Sequence, residues 1–170
     1  TALKELEQIL LDSVEIHQRS DVPYGMFLSG GIDSAALLTL MARLNEQPVR
    51  AFTAGFTGTK AHDERDRARA LARQLGAEHH EVDFGENDFW SLLPQVAAAI
   101  DDPAADYAVL PTYKLAAAAK AEGLKVVLSG EGADELFAGY GRYRDAQRSW
   151  WVGGPRTMRR TGRFDRLGVL

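Results

Sequence analysis

The sequence predicts an α/β domain built on a parallel sheet, and three observations support this prediction. Segments with helical spacing of apolar residues alternate with short apolar segments that are typical of buried strands. The 170 residues are 45% apolar and 26% charged, as in one ordinary globular domain. Two of the short apolar segments end in a Ser-Gly turn, at the position where parallel α/β sheets bind ligands.

Local patterns define each element in turn. The first helix is amphipathic, because Leu3, Leu6 and Leu10 share one face. The segment after the first Ser-Gly turn is apolar on almost every side, as expected of a helix in the middle of a layered fold. Gly76 ends the third helix, and Pro111 begins the last one. The predicted elements are helix 3–16, strand 22–28, helix 34–44, strand 49–56, helix 63–75, strand 78–84, helix 87–100, an irregular loop 101–110, helix 111–122 and strand 124–128.

Charge and composition exclude several classes of protein. With 24 acidic and 20 basic residues, the chain has a net charge of −4 and lacks the overall positive charge that is typical of nucleic-acid-binding domains. No apolar run approaches the roughly 18 to 20 residues that cross a bilayer, and no signal peptide is evident, so we expect no membrane partner and a cytoplasmic location. The absence of cysteine excludes disulfides, thiolate metal sites and a cysteine nucleophile.

The last part of the chain differs in charge from the rest. From Arg142 onward arginine dominates, whereas the preceding residues are acidic overall. We expect residues 1–145 to form the domain and residues 146–170 to begin a basic, helical region. Nucleic-acid or membrane binding by this tail is the alternative, although such tails usually have denser basic runs. Because the chain begins with Thr1 and not Met, we also expect it to be part of a longer protein, with a processed or tagged product as the alternative.

The first Ser-Gly turn has the sequence Ser-Gly-Gly-Ile-Asp-Ser at 29–34. Adjacent glycines let the backbone approach an anion, the following helix adds a partial positive charge, and Ser29 and Ser34 supply hydroxyls. The lysine of a Walker A loop and the glycine spacing of a dinucleotide loop are both missing. An acidic residue here, Asp33, favours a divalent cation that bridges to phosphate. The alternative is an aspartate that only caps the helix.

The second Ser-Gly turn has the sequence Ser-Gly-Glu-Gly-Ala-Asp-Glu at 129–135. Its carboxylates, Glu131, Asp134 and Glu135, are costly to crowd unless solvent, a metal or a basic group offsets their charge. A capping box with acids in the first helical turn is the alternative. That alternative explains poorly why the same turn follows two separate strands.

Together the two motifs resemble the synthetase domain of the glutamine-dependent (B type) asparagine synthetases, within the ATP-pyrophosphatase (PP-loop) superfamily. The family's Ser-Gly-Gly-x-Asp-Ser loop is present at 29–34, and its Ser-Gly-Glu-Gly-x-Asp-Glu loop at 129–135 is followed by Phe-x-Gly-Tyr at 137–140. The segments 52–56, 75–80 and 110–113 also look like family segments. The resemblance implies a Rossmann-like sheet with helices on both faces, of the adenine nucleotide alpha hydrolase-like type.

The resemblance implies an ATP-dependent carbon–nitrogen ligase that uses Mg²⁺. The side-chain carboxylate of aspartate would attack the α-phosphorus of ATP, pyrophosphate would leave, and ammonia derived from glutamine would attack the acyl adenylate, giving asparagine and AMP. A glutaminase domain in the parent chain and a homodimer are implied as well. The family's glutaminase nucleophile is a cysteine, so the segment alone is expected to lack glutaminase activity. A lysine that faces the phosphates belongs to the family's C-terminal helical region, so the resemblance also implies, as one outcome, that the segment alone is inactive as a ligase.

Site roles carry over from the family by motif position. Glu131 matches the glutamate that helps to form and consume the adenylate. Asp33 and Asp134 match the ligands of Mg²⁺. Ala54 is smaller than the aliphatic residue usual in the family. The positions that match the nucleotide site are Leu28, Ser29, Gly30, Gly31, Asp33, Ser34, Ala54, Ser129 and Gly130.

Other polar residues are weaker candidates. His79 and His80 lie next to each other on a predicted strand and point to opposite faces, which disfavours a shared metal. Asp63 and Glu64 are expected to cap their helix, with a position in the active site as the alternative. Asp101, Asp102 and Asp106 lie in the first part, 101–106, of the predicted loop 101–110. The resemblance implies that this loop is near the substrate, so a substrate role for these aspartates is one interpretation.

Two rival functions share these motifs. A β-lactam synthetase, or an amidotransferase that acts on another carboxylate, would keep both ATP loops and change the substrate pocket. A nucleotide-binding domain without turnover belongs to a different class of protein. ATP cleavage by the full-length protein discriminates this last class from the ligases.

Overall fold

Helices and strands alternate along the chain in the computed structural model, which describes residues 1–58, 63–101, 106, 108–141 and 143. Residues 1–130 form one unit, and the residues from 131 onward belong to another, which is described by itself. The elements of the first unit are α1 (Ala2–His17), β1 (Tyr24–Phe27), α2 (Ile32–Leu44), β2 (Arg50–Gly55), α3 (Arg65–Gln74), β3 (Glu78–Asp83), α4 (Glu86–Ala99), α5 (Val109–Ala121) and β4 (Val126–Leu128).

The four strands form a parallel sheet in the order β3-β2-β1-β4. In the register, Met26 of β1 pairs with Ala51 of β2 on one side and with Leu128 of β4 on the other. The chain therefore moves outward from β1 to β2 and β3, and then returns to the far side of β1. This reversal makes the crevice between β1 and β4 the topological switch point of the sheet. The prediction of a parallel α/β sheet is confirmed.

Helices cover both faces of the sheet, as the resemblance implies. Successive strand residues point to opposite faces, so Ala51 joins one core cluster and Phe52 joins another. The first cluster packs the sheet against α1, α2 and α3, and the second packs it against α5. A third cluster, around Phe84, Val96 and Leu110, packs α4 against α5.

The predicted elements are all present, with differences at their ends. Strand β1 is shorter than predicted, because Pro23 has no amide to donate to the sheet. Helix α5 begins at Val109, two residues before Pro111, and so includes the end of the predicted loop. A proline is tolerated there because amides of the first helical turn need no partner within the helix. Gly76, at φ +67°, follows α3 as predicted.

The described residues of the second unit contain one short helix, α6 (Ala133–Phe137). It begins after Gly132, at φ +94°, and ends before the C-cap residue Ala138, which also has a positive φ of 56°. The hydroxyl of Tyr140 donates to Oε1 of Glu135 at 2.6 Å. The boundary expected at 145/146 and the basic tail lie outside the described residues. Within the described ranges no helix is long and apolar enough to span a membrane.

Candidate functional site

Both Ser-Gly turns lie at the carboxyl edge of the sheet, beside the switch point. The first loop, residues 29–34, follows β1, and the second loop, residues 129–130, follows β4. Strands β1 and β4 are direct neighbours. The predicted position of the two loops at one edge is therefore confirmed, in the place where open α/β sheets bind ligands.

Hydrogen bonds between two serines hold the first loop in shape. The hydroxyl of Ser34, which is only 4% exposed, accepts from the Ser29 amide at 3.1 Å and lies 2.9 Å from the Ser29 hydroxyl. The Ser34 hydroxyl also lies within hydrogen-bond distance of the carbonyls of Ser29 and Gly31, and the Ser29 hydroxyl accepts from the Gly31 amide at 3.1 Å. Both hydroxyls are thus engaged within the loop itself.

The loop leads directly into the first turn of α2. Gly31 is the N-cap residue, in an extended conformation, and no side chain caps the helix. Asp33 lies inside the first turn, so its interpretation as the N-cap aspartate is wrong. The amides of Ile32 and Ser34 have no acceptor among the residues that the structure describes. Such amides, together with the partial positive charge of the helix end, suit an anion.

Gly130 brings the second loop into contact with the first. A methyl group placed on Gly130 would lie 2.8 Å from both the carbonyl carbon of Asp33 and the amide nitrogen of Ser34. Those atoms belong to the backbone, and moving them would distort the first turn of α2. Only glycine therefore lets the second loop come this close to the first. The two loops therefore meet at the first turn of α2.

The base of the first loop is tied to β2 and β3. Leu28 is 2% exposed, and its amide donates to the carbonyl of Phe52 at 2.8 Å. The buried hydroxyl of Thr53 donates to the Leu28 carbonyl at 2.7 Å and lies 2.8 Å from Nε2 of His79. Burial lowers the pKa of His79, which favours the neutral ring, and an Nε2–H donor matches the remaining lone pair of Thr53. Both backbone polar groups of Leu28 are therefore bonded to β2.

Ala54 lies near the carboxyl end of β2, paired with Val82 of β3. It is half-buried and packs against the core cluster that contains Phe52. The next residue, Gly55, leaves space for the guanidinium of Arg65, which a side chain at that position would overlap. Small residues at this end of β2 therefore let α3 approach the sheet edge.

The start of α3 contacts the first loop. The Glu64 carboxylate accepts from the Gly30 amide at 2.9 Å. Asp63 instead accepts from the Arg65 amide at 3.1 Å and pairs with its guanidinium, and this side-chain hydrogen bond lowers the pKa of Asp63 to about 2. Asp63 thus accepts from the first amide of α3 but precedes the N-cap residue, Glu64, which forms no side-chain cap. The expected cap by the Asp63–Glu64 pair is therefore wrong for Glu64. The contact of Glu64 with Gly30 joins residues far apart in the chain, so no local pattern indicates it.

The acidic residues of the second motif are described within their own unit. Glu131 is exposed and Asp134 is half-buried. Asp134 and Glu135 lie in the first turn of α6, as the alternative interpretation expected. That helix, however, has Gly132 as its N-cap and no side-chain capping bond, so the capping box is wrong. The Asp134 carboxylate lies against Gly139, where any side chain would overlap it.

The weaker candidates have structural partners. His79 faces Thr53, and His80 stacks on Phe52 with ring centroids 4.8 Å apart, so the two histidines point to opposite faces as predicted. In the loop 101–106, Asp106 accepts from the amide of Ala108, and residues 102–105 lie outside the described residues. Across the described ranges no group of three or more acidic or histidine side chains is placed to hold a metal by itself.

These features define a doubly wound α/β domain with two Ser-Gly loops that meet at its switch point. The family model that matches the chain is asparagine synthase, and the match covers residues 5–168. The chain belongs to this asparagine synthase family.

Two bacterial relatives illustrate the match. The chain is 41% identical over 143 residues to asparagine synthetase [glutamine-hydrolyzing] 1 of Bacillus subtilis, a match that covers 84% of this chain and 22% of that protein. It is 36% identical over 155 residues to asparagine synthetase B [glutamine-hydrolyzing] of Escherichia coli, with 82% and 27% covered. The chain thus spans about a quarter of the length of these relatives.

A solved structure has the same fold. The NH3-dependent NAD synthetase of Campylobacter jejuni superposes with a TM-score of 0.52 and 21% sequence identity, covering 81% of this chain and 60% of that one. At this level of identity the similarity establishes the α/β fold only.

Proposed function

We propose that the chain is the ATP-binding part of the synthetase domain of a glutamine-dependent asparagine synthetase. Family membership and the names of the two relatives support this function. The observation that carries it is the contact of Gly130 with the Asp33–Ser34 peptide, which joins both family motifs at the switch point. One nucleotide can contact both loops at that point.

In this proposal, the first loop and the first turn of α2 hold the pyrophosphate portion of ATP. The serine hydroxyls fix the loop, and the helix end supplies amides and a partial positive charge. The second loop approaches the same turn through Gly130. The proposed nucleotide-binding residues are Leu28, Ser29, Gly30, Gly31, Asp33, Ser34, Ala54, Ser129 and Gly130.

Asp33 and Asp134 are the proposed ligands of Mg²⁺. Mg²⁺ is usually bound by one or two carboxylates together with substrate phosphates, and this agrees with a chain whose described side chains form no complete metal cage. Asp33 lies in the same helical turn as the anion-receptive amides, which suits an ion that bridges protein and phosphate. The ion would offset the negative charge that develops on the leaving pyrophosphate.

The proposed reaction has two steps. An oxygen of the aspartate side-chain carboxylate attacks the α-phosphorus, the bond from that phosphorus to the β-phosphate oxygen breaks, and pyrophosphate leaves with the electron pair. Ammonia then attacks the acyl carbon, AMP leaves, and the nitrogen loses a proton. Glu131 is the proposed acceptor of that proton, because an exposed carboxylate next to the nucleotide loop can serve as a general base.

The parent protein supplies the rest of this activity in the proposal. A fused glutaminase domain would release ammonia from glutamine, and the protein would work in the cytoplasm as a homodimer. The names of the relatives support the first of these points, because both are glutamine-hydrolysing enzymes.

The full-length parent protein tests the function directly. It is incubated with Mg-ATP, with or without aspartate, and with either glutamine or ammonium, and AMP, pyrophosphate and asparagine are measured. We expect AMP and asparagine in equal amounts, only when aspartate is present. Tight binding of Mg-ATP without cleavage in the presence of aspartate would contradict the proposal and indicate another carboxylate substrate or a domain without turnover.

Glu131→Gln in the parent protein tests the assigned base. Because the amide cannot accept the proton, turnover should fall by about a hundredfold or more. The Kd for Mg-ATP, measured by calorimetry, should stay within about threefold of wild type. Glu46→Gln, which removes an exposed glutamate between α2 and β2, is the control and should change neither quantity. Equal losses of binding and turnover in Glu131→Gln would contradict the role.

A further inference from the structure

We propose that Glu64 is a positioning residue of the first loop, which holds the Gly30 amide so that the first turn of α2 faces the polyphosphate. The inference deepens the proposed function and rests on it for the identity of the ligand. It concerns a residue outside both Ser-Gly motifs, the N-cap residue of α3, whereas the loop leads into α2.

The contact itself is direct. Oε2 of Glu64 lies 2.9 Å from the Gly30 nitrogen, a normal distance for a hydrogen bond from an amide to a carboxylate. The two residues also pack closely, because a methyl group on Gly30 would lie 2.9 Å from Cβ of Glu64 and 3.3 Å from Cβ of Arg67. The first turn of α3 is therefore one wall of the loop.

The Glu64 side chain has no competing role at the start of its own helix. Its backbone carbonyl accepts from the Ala68 amide at 3.1 Å and so begins α3, but its carboxylate forms no cap. Asp63 bonds to the Arg65 amide and pairs with the Arg65 guanidinium. Asp63 therefore bonds to the start of α3, whereas the neighbouring Glu64 bonds to the first loop.

The bond completes a pattern within the loop. The amides of Ser29 and Gly31 donate to serine hydroxyls of the loop, and the amide between them, Gly30, donates to Glu64. Three successive amides are therefore held by the protein. The donors left for a polyphosphate are those of the α2 first turn, including Ile32 and Ser34, which have no acceptor among the described residues. Glu64 acts by fixing where those amides point.

The Glu64 side chain has two properties that substitutions can separate: its negative charge and its ability to accept the Gly30 amide hydrogen. A carboxylate close to a polyphosphate repels it, so its charge does not favour the ligand. Its value lies in accepting the amide hydrogen, which a glutamine oxygen also does. Glu64→Gln should therefore retain the positioning role, and Glu64→Ala should lose it. Asp66→Asn is the control, because it removes an exposed carboxylate from the same helix and leaves the loop untouched.

The experiment uses the full-length parent protein and two measurements. Hydrogen exchange of the peptide that contains residues 29–31 is measured without nucleotide. The Kd values for Mg-ATP and for inorganic pyrophosphate are measured by calorimetry. We expect Glu64→Ala to speed exchange in this peptide and to weaken both ligands by about tenfold. Glu64→Gln should match the wild type within about threefold, as should Asp66→Asn.

Three other results for the Glu64 variants would overturn the proposal. If both Glu64 variants bind more tightly, Glu64 is an anion that competes with phosphate. If both bind Mg-ATP equally weakly and pyrophosphate without Mg²⁺ normally, Glu64 acts on the metal. If neither changes binding or exchange, the contact has no role. Wild-type protein that does not bind Mg-ATP would instead contradict the proposed function, while the exchange result would still decide whether Glu64 holds the loop.

Discussion

The two Ser-Gly loops begin alike but are held by different means. In the first, two serine side chains and Glu64 accept the backbone amides of residues 29–31, so side chains from two elements fix its path. In the second, the defining contact belongs to a residue without a side chain, because Gly130 touches the Asp33–Ser34 peptide. One loop is held by hydrogen bonds and the other by close approach.

This difference predicts different sensitivities to substitution. A hydrogen bond lost from a buried loop costs a few kcal/mol at most, and its effect depends on the partner left behind. A close backbone contact permits no added atom, because the opposing peptide cannot rotate away. A substitution of Gly130 in the second loop should therefore have a larger effect than a substitution of either serine in the first loop.

The largest effect is expected from Gly130→Ala in the parent protein. The added methyl would lie 2.8 Å from two backbone atoms of the first loop and must push the loops apart. Mg-ATP affinity should fall by more than about tenfold, with a stability loss of about 1 to 3 kcal/mol. Calorimetry and thermal unfolding measure these quantities.

Gly85→Ala is the control for the Mg-ATP affinity, which it should leave unchanged. Gly85 is the N-cap residue of α4 with an extended backbone, and the nearest atom to an added methyl is 3.9 Å away. Normal Mg-ATP binding by Gly130→Ala would contradict the importance of the close approach, and would remove the contrast between the loops.

A smaller effect is expected from Ser34→Ala. The change removes the acceptor of the Ser29 amide and leaves that amide without its partner in a half-buried loop. The free energy of unfolding should fall by about 1 to 2 kcal/mol, and Mg-ATP affinity by less than in Gly130→Ala. Ser91→Ala, at an exposed hydroxyl on α4, should stay within about 0.5 kcal/mol of wild type. A loss of affinity as large as that of Gly130→Ala would show that the two loops are held in the same way.

The smallest effect is a pH dependence at the base of the first loop. Burial lowers the pKa of His79 below its ordinary 6.5, and Arg69 and His80 act in the same direction, whereas Glu81 opposes them. The unfolded chain therefore binds a proton at His79 more readily than the folded chain does. This part of the stability is present above about pH 6.5 and is lost as the pH falls through the lower folded value.

Urea unfolding at pH 7.5 and 5.5 measures this loss. The wild type should lose more stability between the two values than His79→Gln, which has no proton to bind at this position. Ser91→Ala, at an exposed hydroxyl on α4, is the control and should keep the wild-type difference. An equal pH dependence in the wild type and in His79→Gln would show that protonation of His79 does not contribute to the loss of stability.

Local patterns were sufficient to predict the elements of this fold. Apolar spacing located the helices and strands, and glycine at position 76 located the end of α3. The two Ser-Gly turns correctly indicated one edge of the sheet, because parallel strands all end on the same side. The start of α5 was wrong by two residues, since Ala108 gives no capping signal and Pro111 fits any position of a first turn.

Contacts between distant segments could not be predicted in this way. The bond of Glu64 to Gly30 and the approach of Gly130 to Asp33 depend on how helices pack on the sheet, which spacing within one segment does not encode. For Glu64 the sequence indicated a cap, because an acid before a helix usually has that role. The roles of Glu131 and Asp134 stay predictions, which rest on the family motif.

The strand order also bears on how the chain folds. Strand β1 pairs with β2 after a short connection, whereas Tyr24 pairs with Val126 about a hundred residues away. Closing the longer connection costs about 1 kcal/mol more in chain entropy, and pairings of large sequence separation slow folding. Strand β4 contains only three residues, so it contributes few hydrogen bonds against that cost. We therefore expect the crevice between β1 and β4 to be the last part of the sheet to assemble, and we expect a nucleotide that bridges it to stabilise this late pairing.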